Sequence, residues 1–291
     1  MMILRSGLCL LLVVAADLLH AAPDMLVEGI RLPAWVIRDG QRKPLALGAA
    51  LKNSDQVSTG SNARVLLRLG DGSMVKLGEN ASLELSNLVQ KPQNHFIAAT
   101  LKVLEGAFRF TTETAMKHRA SRDITVQFAT LTAGIRGTDI WGKNLGDKEV
   151  IVLIEGKITV TRAGEQTIQM NDALTYLQAP RTGAATMQPV LADQLKAWAD
   201  ETELGEAHGS LRKGGRWKLY IGSYREQLQA LSLYDSLRRE GYPVRIQPQQ
   251  AEDGMRYRLR LAGFPSQQEA DVVGLRLKQA DPKLETIASL Q

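Results

Sequence analysis

The residues with the clearest chemical potential lie in the last 80 positions, where cationic and aromatic side chains alternate with apolar ones. In WKLYIGSY, residues 217–224, the polar positions hold Lys218 and Tyr220. A β-strand turns successive side chains to opposite faces, so one face of this segment is apolar and the other carries an ammonium and a phenol. Two later segments repeat the pattern. The polar positions together are Lys218, Tyr220, Arg245, Gln247, Arg258 and Arg260.

This set of side chains indicates a binding surface. Arg and Lys donate charge-assisted hydrogen bonds to oxygen acceptors, and an exposed aromatic face offers a stacking surface. Four cations on neighbouring strands repel each other, so a structural role alone explains them poorly. For any single residue, the alternative to a binding role is that its long aliphatic stem covers apolar surface on a solvent-exposed sheet face.

The elements that must position these side chains are predicted over residues 216–291, in the order βαββαβ. Apolar residues at helical spacing follow the first and third strands. A Ser-x-x-Glu pattern, Ser223 to Glu226 and Ser266 to Glu269, predicts a capping box at the start of each helix. Each helix has one apolar stripe, so both helices must cover the same face of a four-stranded sheet. The polar set then lies on the open face of a small α+β domain.

Residues 24–180 are predicted to form an all-β domain, either a sandwich or a short β-solenoid, which makes the chain a multi-domain protein. Short alternating strands recur between turn residues. Two segments, TLKVLEGAFRF (100–110) and EVIVLIEGKITV (149–160), share a central Glu-Gly. We expect a repeated hairpin corner there, with Gly106 and Gly156 in conformations that other residues avoid.

Residues 181–213 are predicted to be a linker that contains one amphipathic helix, and residues 214–291 to be the C-terminal domain. The helix is expected over PVLADQLKAWADETEL (189–204), packed on the β domain. Its apolar stripe consists of Leu191, Leu195 and Trp198. The Gly-rich stretch HGSLRKGG (208–215) is predicted to be a second flexible link.

The C-terminal segments WKLYIGSY and YRLRLAGF, with Gly241-Tyr242 after the first helix, resemble the SPOR (sporulation-related repeat) family. The resemblance covers residues 216–291. It implies binding to bacterial peptidoglycan, with a preference for glycan strands stripped of stem peptides, and enrichment at division septa. The implied groove is the open sheet face. Members often carry Gln where this chain has Tyr220, so the glycan preference of this chain is open.

Residues 30–180 resemble the periplasmic domain of the FecR family. The similarity lies in VSTGSNARVLLRLGDGSMVKLGENASLEL (57–85), LKVLEGAFRF (101–110), IRGTDIW (135–141) and VLIEGKITV (152–160). In IRGTDIW, Arg136 is expected to pair with Asp139 or with backbone carbonyls. The resemblance implies the fold and a protein- or envelope-binding role. Anti-sigma activity is not expected, because the chain lacks the namesake's cytoplasmic part.

The start of the chain has the layout of a secretory signal peptide, predicted over residues 1–22. Arg5 precedes a short apolar run that ends in small residues. The alternative is an uncleaved membrane anchor, but the run is shorter than the ~20 residues that span a bilayer, so we expect cleavage and no transmembrane segment in the mature protein. Cys9, the only cysteine, lies in this segment. Together these features predict a periplasmic protein without disulfides.

Motifs for catalysis or metal binding are lacking in the sequence. His95, His118 and His208 are far apart, and neither a nucleophile elbow nor an H-E-x-x-H pattern occurs. Glu105 and Glu155 are the best-matched carboxylate pair, and the structural corner explains them better than glycan cleavage does. We predict a non-enzymatic protein without metal or cofactor.

Binding to RNA is the alternative for a basic βαββαβ domain, but RNA-binding domains carry aromatics at the exposed third-strand positions. Here those positions hold Arg258 and Arg260. The sequence therefore predicts an exported protein that binds denuded peptidoglycan through the C-terminal domain and another envelope protein through the β domain, with no nucleic-acid partner. The alternative is a periplasmic signalling accessory in which the β domain is the working part.

Overall fold

The computed structural model describes residues 25–91, 96–113, 122–162 and 164–290. The predicted signal peptide, residues 1–22, lies outside the described residues. So do Cys9, His95 and His118.

The N-terminal part of the chain is built almost entirely from strands. Its first nine strands are β1 (Met25–Arg31), β2 (Ala34–Arg38), β3 (Gln41–Pro44), β4 (Ala50–Leu51), β5 (Gln56–Thr59), β6 (Arg64–Leu69), β7 (Met74–Leu77), β8 (Ser82–Lys91) and β9 (Phe96–Thr111). The next nine are β10 (Arg122–Gln127), β11 (Leu131–Ile135), β12 (Asp139–Asn144), β13 (Lys148–Glu155), β14 (Ile158–Arg162), β15 (Ile168–Met170), β16 (Thr175–Pro180), β17 (Thr186–Pro189) and β18 (Ser210–Arg212). One helix, α1 (Ala192–Thr202), lies between β17 and β18.

These strands form two layers joined by the long strand β9. One layer has the order β18-β1-β6-β7-β9-β12-β13-β16-β17, with β4 also paired to β1. The other has the order β3-β2-β5-β8-β9-β10-β11-β14-β15. Apolar side chains from both layers belong to one buried core. The predicted all-β domain is confirmed, and its layered form matches the sandwich alternative.

The repeated Glu-Gly marks the places where the chain changes layer. Gly106 has φ 75° and Gly156 has φ 94°, so both adopt the left-handed conformation that the sequence predicts. A Cβ at Gly106 would lie 2.6 Å from the Ala81 Cα, which explains the need for glycine. The predicted hairpin is wrong, because β13 and β14 pair in different layers and Gly106 lies inside β9. A Gly in an alternating pattern marks a bend without showing whether the chain reverses.

Helix α1 packs on the β domain, as predicted. Trp198 stacks on Trp141 with ring centroids 5.1 Å apart and planes 15° apart, and Tyr176 meets Trp198 edge-on at 5.5 Å. Leu191, predicted to belong to the apolar stripe, is 66% exposed because it lies outside the helix at the N-cap.

The predicted flexible link at residues 208–215 is a structured element. Residues Ser210–Arg212 form β18, which pairs antiparallel with β1, and Ser210 and Leu211 are buried. Glycine and serine indicated a mobile segment, but the free edge of β1 provides hydrogen-bond partners for this backbone.

The C-terminal part has the predicted order βαββαβ. Its elements are β19 (Trp217–Tyr224), α2 (Gln227–Arg239), β20 (Arg245–Ala251), β21 (Gly254–Phe264), α3 (Gln267–Ala280) and β22 (Thr286–Leu290). The four strands form an antiparallel sheet in the order β20-β21-β19-β22. Leu219, Ile221, Leu259 and Leu261 are buried in the core that this sheet shares with the two helices. The multi-domain fold class, all-β followed by α+β, is confirmed.

The first predicted capping box is wrong and the second is half right. Ser223 lies within β19, and α2 begins after Glu226 without a side-chain cap. At α3 the Ser266 Oγ accepts from the Glu269 amide at 3.3 Å, as predicted. The Glu269 carboxylate turns instead to the start of β18 and the residues just before it, where it accepts hydrogen bonds from the amides of residues 207, 209 and 210.

The two parts of the chain pack directly against each other. The Trp35 indole donates to the Arg239 carbonyl at 3.2 Å, and the Arg276 guanidinium donates to the Leu32 carbonyl at 3.0 Å. Leu47 lies so close to Gly263 that an added Cβ would be 2.6 Å from its Cδ2. Buried residues of both parts belong to one cluster, so the C-terminal domain is held against the β domain.

Candidate functional site

One row of side chains crosses all four strands of the C-terminal sheet. Tyr220 on β19 pairs with Arg260 on β21 and with Ile287 on β22, and Arg260 pairs with Arg245 on β20. Directly paired residues in an antiparallel sheet project to the same face. The neighbours of Arg260 along β21, Leu259 and Leu261, are buried toward the helices, so the row lies on the open face.

The other three predicted side chains flank this row. Gln247 pairs with Arg258, which pairs with Ser223 across a β-bulge at Gly222. Lys218 pairs with Ser289 on β22. The structure thus brings all six sequence-selected residues to one face. We call this face, with Ile287, Ser223 and Ser289, the open face.

Tyr220 and Arg258 form the centre of the open face. The Arg258 guanidinium lies 5.7 Å from the centroid of the Tyr220 ring, within the distance of a cation–π interaction. Both side chains are half-buried. The contact holds the phenol ring and the guanidinium together at the surface, where each can still reach a ligand.

A cavity of about 360 Å³ lies beside this pair. It is lined by Tyr220, Gly222, Ser223, Arg258, Glu285, Ile287 and Ser289. Ile287 is 67% exposed and offers an apolar surface next to the phenol. The sequence predicted the final strand but not its register, so Ile287 and Ser289 were missed. Both residues occupy alternate positions in LETIASL (284–290), and this alternation indicates that they share the open face once β22 is paired with β19.

A second cavity, of about 260 Å³, lies at the other side of the sheet, where the two domains meet. Arg245 and Arg260 line it, together with Ala46 and Leu47 of the β domain. Nε of Arg260 is buried without a hydrogen-bond partner, and so is Oε1 of Gln247. Buried polar atoms are normally satisfied, so each of these two side chains lacks one hydrogen bond in this structure.

Arg256 also alternates with Arg258 and Arg260 along β21, but it forms an ion pair at the β20–β21 turn. Arg256 and Arg225 both bind the carboxylate of Asp253, which lies between β20 and β21. Hydrogen bonds from Arg256 first, then from Arg225, lower the pKa of Asp253 to about 2. Asp253 offsets one of the two positive charges here, so the positive charge of the open face is concentrated at Arg258 and Arg260, farther along the strand.

The lowered pKa of Asp253 gives a pH prediction. Because ionised Asp253 is the form that the two arginines bind, the ion pairs are complete above the ordinary aspartate pKa of about 4 and are lost as the pH falls through about 2. We expect the Asp253 carboxyl carbon to titrate by NMR with a midpoint near 2. In Arg256→Ala the midpoint should move upward. An unchanged midpoint in that variant would show that Arg256 does not bind Asp253 in solution.

In the β domain, the IRGTDIW motif places its charges differently from the prediction. Asp139 binds Arg109 on the neighbouring strand, with Nε and Nη2 at 2.9 and 2.7 Å from the two carboxylate oxygens. These hydrogen bonds raise the pKa of Arg109. Arg136 is exposed and lines a cavity of about 1160 Å³ together with Lys157. The expected Arg136–Asp139 pair is wrong, because β12 lies beside β9 and turns Asp139 toward Arg109.

The described part of the chain contains no cluster of three metal-ligating side chains. Glu105 and Glu155, the carboxylates considered for catalysis, are exposed at the layer-changing corners. Within the described residues, no helix is long and apolar enough to cross a bilayer.

The fold and the open face define a two-domain protein, with a layered β domain followed by a small α+β domain that exposes a cationic, tyrosine-bearing sheet. Family comparisons agree with this division. Residues 55–159 match the family model FecR protein, and residues 213–283 match the family model SPOR domain. The order of the two modules is the one that the sequence resemblances implied.

Comparisons with individual proteins show only weak similarity. No curated protein matches the chain. Two crystal structures of a candidate anti-sigma factor from Parabacteroides distasonis ATCC 8503 are similar in part. The first is 13% identical, covers 81% of this chain and 99% of that one, and has a TM-score of 0.42. The second is 14% identical, covers 77% of this chain and 91% of that one, and has a TM-score of 0.41.

Proposed function

We propose that the protein is an exported, non-enzymatic component of the bacterial envelope that binds denuded glycan strands of peptidoglycan through its open face. The match to the SPOR domain supports peptidoglycan binding. The observation that carries the choice of surface is the row Arg245, Arg260, Tyr220 and Ile287, which runs across the whole sheet opposite the helices.

The chemistry of the row fits a sugar chain from which the peptides have been removed. Tyr220 and Ile287 offer apolar contact to pyranose C–H surfaces. The arginines donate to acetamido oxygens and to the lactyl carboxylates, which are free only on a denuded strand. A strand that still carries stem peptides has an amide at these positions and lacks the matching negative charge.

We assign the β domain to interaction with another envelope protein, and the match to FecR protein supports a signalling-related role for it. The alternative is a periplasmic signalling accessory in which this domain is the working part. The specific observation that favours the alternative is Arg136, which is exposed at a large cavity rather than paired with Asp139. The test is complementation of a strain that lacks the protein. If Arg136→Ala fails to restore the wild-type phenotype while glycan binding and septal localisation persist, the alternative is correct.

The proposed function is tested by sedimentation of the purified mature protein with peptidoglycan sacculi. We expect the protein to pellet with amidase-treated sacculi at concentrations at least about tenfold lower than with intact sacculi. Pelleting should weaken as salt is added, because partly exposed arginines supply the attraction. Equal pelleting with both kinds of sacculi would contradict a preference for denuded strands, and no pelleting would contradict glycan binding.

A further inference from the structure

The cavity between the two domains lies directly beside the open face. Arg260 belongs both to the cross-strand row and to the cavity lining, and Arg245 marks the end of the row at β20. The opposite wall is formed by Ala46 and Leu47, which follow β3 in the β domain. A ligand that crosses the sheet along the row toward β20 therefore arrives at a pocket with one wall from each domain.

The distances suit one continuous polymer. Neighbouring strands lie about 4.8 Å apart, so the row from Ile287 to Arg245 spans roughly 14 Å. The cavity of about 360 Å³ lies at the Ile287 end, and the cavity of about 260 Å³ lies at the Arg245 end. A chain of sugars laid along the row would have one cavity at each end and Tyr220 between them.

The lining of the interdomain cavity indicates what it binds. Its polar groups include two guanidinium groups, and Nε of Arg260 is a buried donor without a partner. Leu47 and Pro243 supply an apolar wall that strengthens a charge-assisted hydrogen bond by excluding water. Arg245 is exposed, so its fork can close over an incoming anion. These donors are complemented by a negatively charged acceptor, and on a denuded glycan strand that acceptor is the lactyl carboxylate.

We propose that the glycan site is composite: a strand bound on the open face continues into the interdomain cavity, where Arg245 and Arg260 bind a carboxylate substituent and the β domain contacts the sugar. This inference rests on the proposed function and deepens it. Because the cavity lies at the β20 end of the row, a strand long enough to extend from Tyr220 into it contacts the β domain, and a disaccharide bound at Tyr220 does not. The two domains are held together, so the wall formed by Ala46 is in place before the ligand arrives.

The test uses the mature protein with two denuded glycan probes, a disaccharide and an octasaccharide, and measures Kd by calorimetry. Ala46→Glu places a carboxylate opposite Arg245 and Arg260. We expect it to weaken octasaccharide binding about tenfold and to change disaccharide binding less than about twofold. Ala50→Glu, an exposed position in the same domain outside the cavity lining, is the matched control and should leave both affinities unchanged.

A charge-reversed variant separates attraction from blockage. Ala46→Lys has a side chain of similar length, and its cation favours the carboxylate, so octasaccharide binding should stay within about twofold of wild type. Equal losses in the Glu and Lys variants would overturn the carboxylate assignment. An octasaccharide affinity unaffected by Ala46→Glu, or equal losses for both probes, would overturn the composite site.

Comparison of Tyr220→Ala with Ala46→Glu separates the role of the open face from the role of the β domain. If Tyr220→Ala abolishes octasaccharide binding while Ala46→Glu leaves it intact, the open face binds glycan and the β domain does not contribute. If Tyr220→Ala itself leaves binding intact, the open face is not the glycan site and the proposed function is wrong.

Discussion

Replacing Glu269 by alanine is expected to lower the free energy of unfolding by about 3–5 kcal/mol, the largest stability effect of any single substitution considered for this chain. The Glu269 side chain is 4% exposed. Its carboxylate accepts from the amides of Ala207 and Ser210 at 2.8 Å each, and from the amide of Gly209. Alanine would leave these donors without an acceptor, and a buried unsatisfied amide costs about 1–3 kcal/mol. The melting temperature should fall by about 10 °C.

Two variants make the result specific. Ser266→Ala removes only the N-cap of α3 and should cost about 1 kcal/mol. Glu269→Gln keeps one acceptor oxygen and should fall between Ser266→Ala and Glu269→Ala. Urea unfolding of the three variants gives the comparison. A loss of less than about 1 kcal/mol in Glu269→Ala would show that water satisfies these amides and that the contact is not structural.

The same contact bears on how the C-terminal domain is isolated. A fragment of residues 214–291 contains Glu269 but none of the three amides that it binds. Such a fragment also loses β18, and with it the contacts of Leu211 in the shared core. A fragment of this length that fails to localise would therefore say little about glycan binding, and point variants in the whole chain are the better test.

The sequence predicted the composition of the open face because alternation in a strand depends only on the parity of positions. Lys218, Tyr220, Arg258 and Arg260 had to oppose the apolar residues between them. Alternation does not determine which residues lie opposite each other on neighbouring strands, so the row from Arg245 to Ile287 could not be predicted. That register depends on the bulge at Gly222 and on how the helices pack.

Glu269 shows where a local sequence pattern fails to predict the contacts of a side chain. Its spacing from Ser266 satisfied a local rule for helix capping, and the local rule predicted a partner three residues away. In the folded chain its partners lie about 60 residues away, in a segment whose composition predicted flexibility. A local pattern identifies the residue types that the start of a helix favours. It does not show that distant buried amides also bind the Glu269 carboxylate, because those amides approach it only in the folded chain.

Replacing Tyr220 by alanine is expected to weaken binding to denuded glycan about 30-fold, the largest effect on function. Tyr220 is the aromatic residue at the centre of the row, and such anchors typically contribute about 2 kcal/mol or more to binding, where about 1.4 kcal/mol is tenfold in Kd. Arg258→Ala should weaken binding about tenfold. Because the Arg258 guanidinium lies over the Tyr220 ring at 5.7 Å, the double variant should lose less than the sum of the two free-energy changes.

The chain offers a matched control on the other side of the sheet. Arg238 lies over the ring of Tyr234 with its guanidinium 5.1 Å from the centroid, and both residues belong to α2, which covers the buried face. Arg238→Ala removes the same chemistry and the same charge, so it should leave glycan affinity within about twofold. Equal losses in Arg238→Ala and Arg258→Ala would mean that net charge attracts the glycan wherever it lies. A Tyr220→Ala protein that folds and binds like wild type would remove the open face from the mechanism.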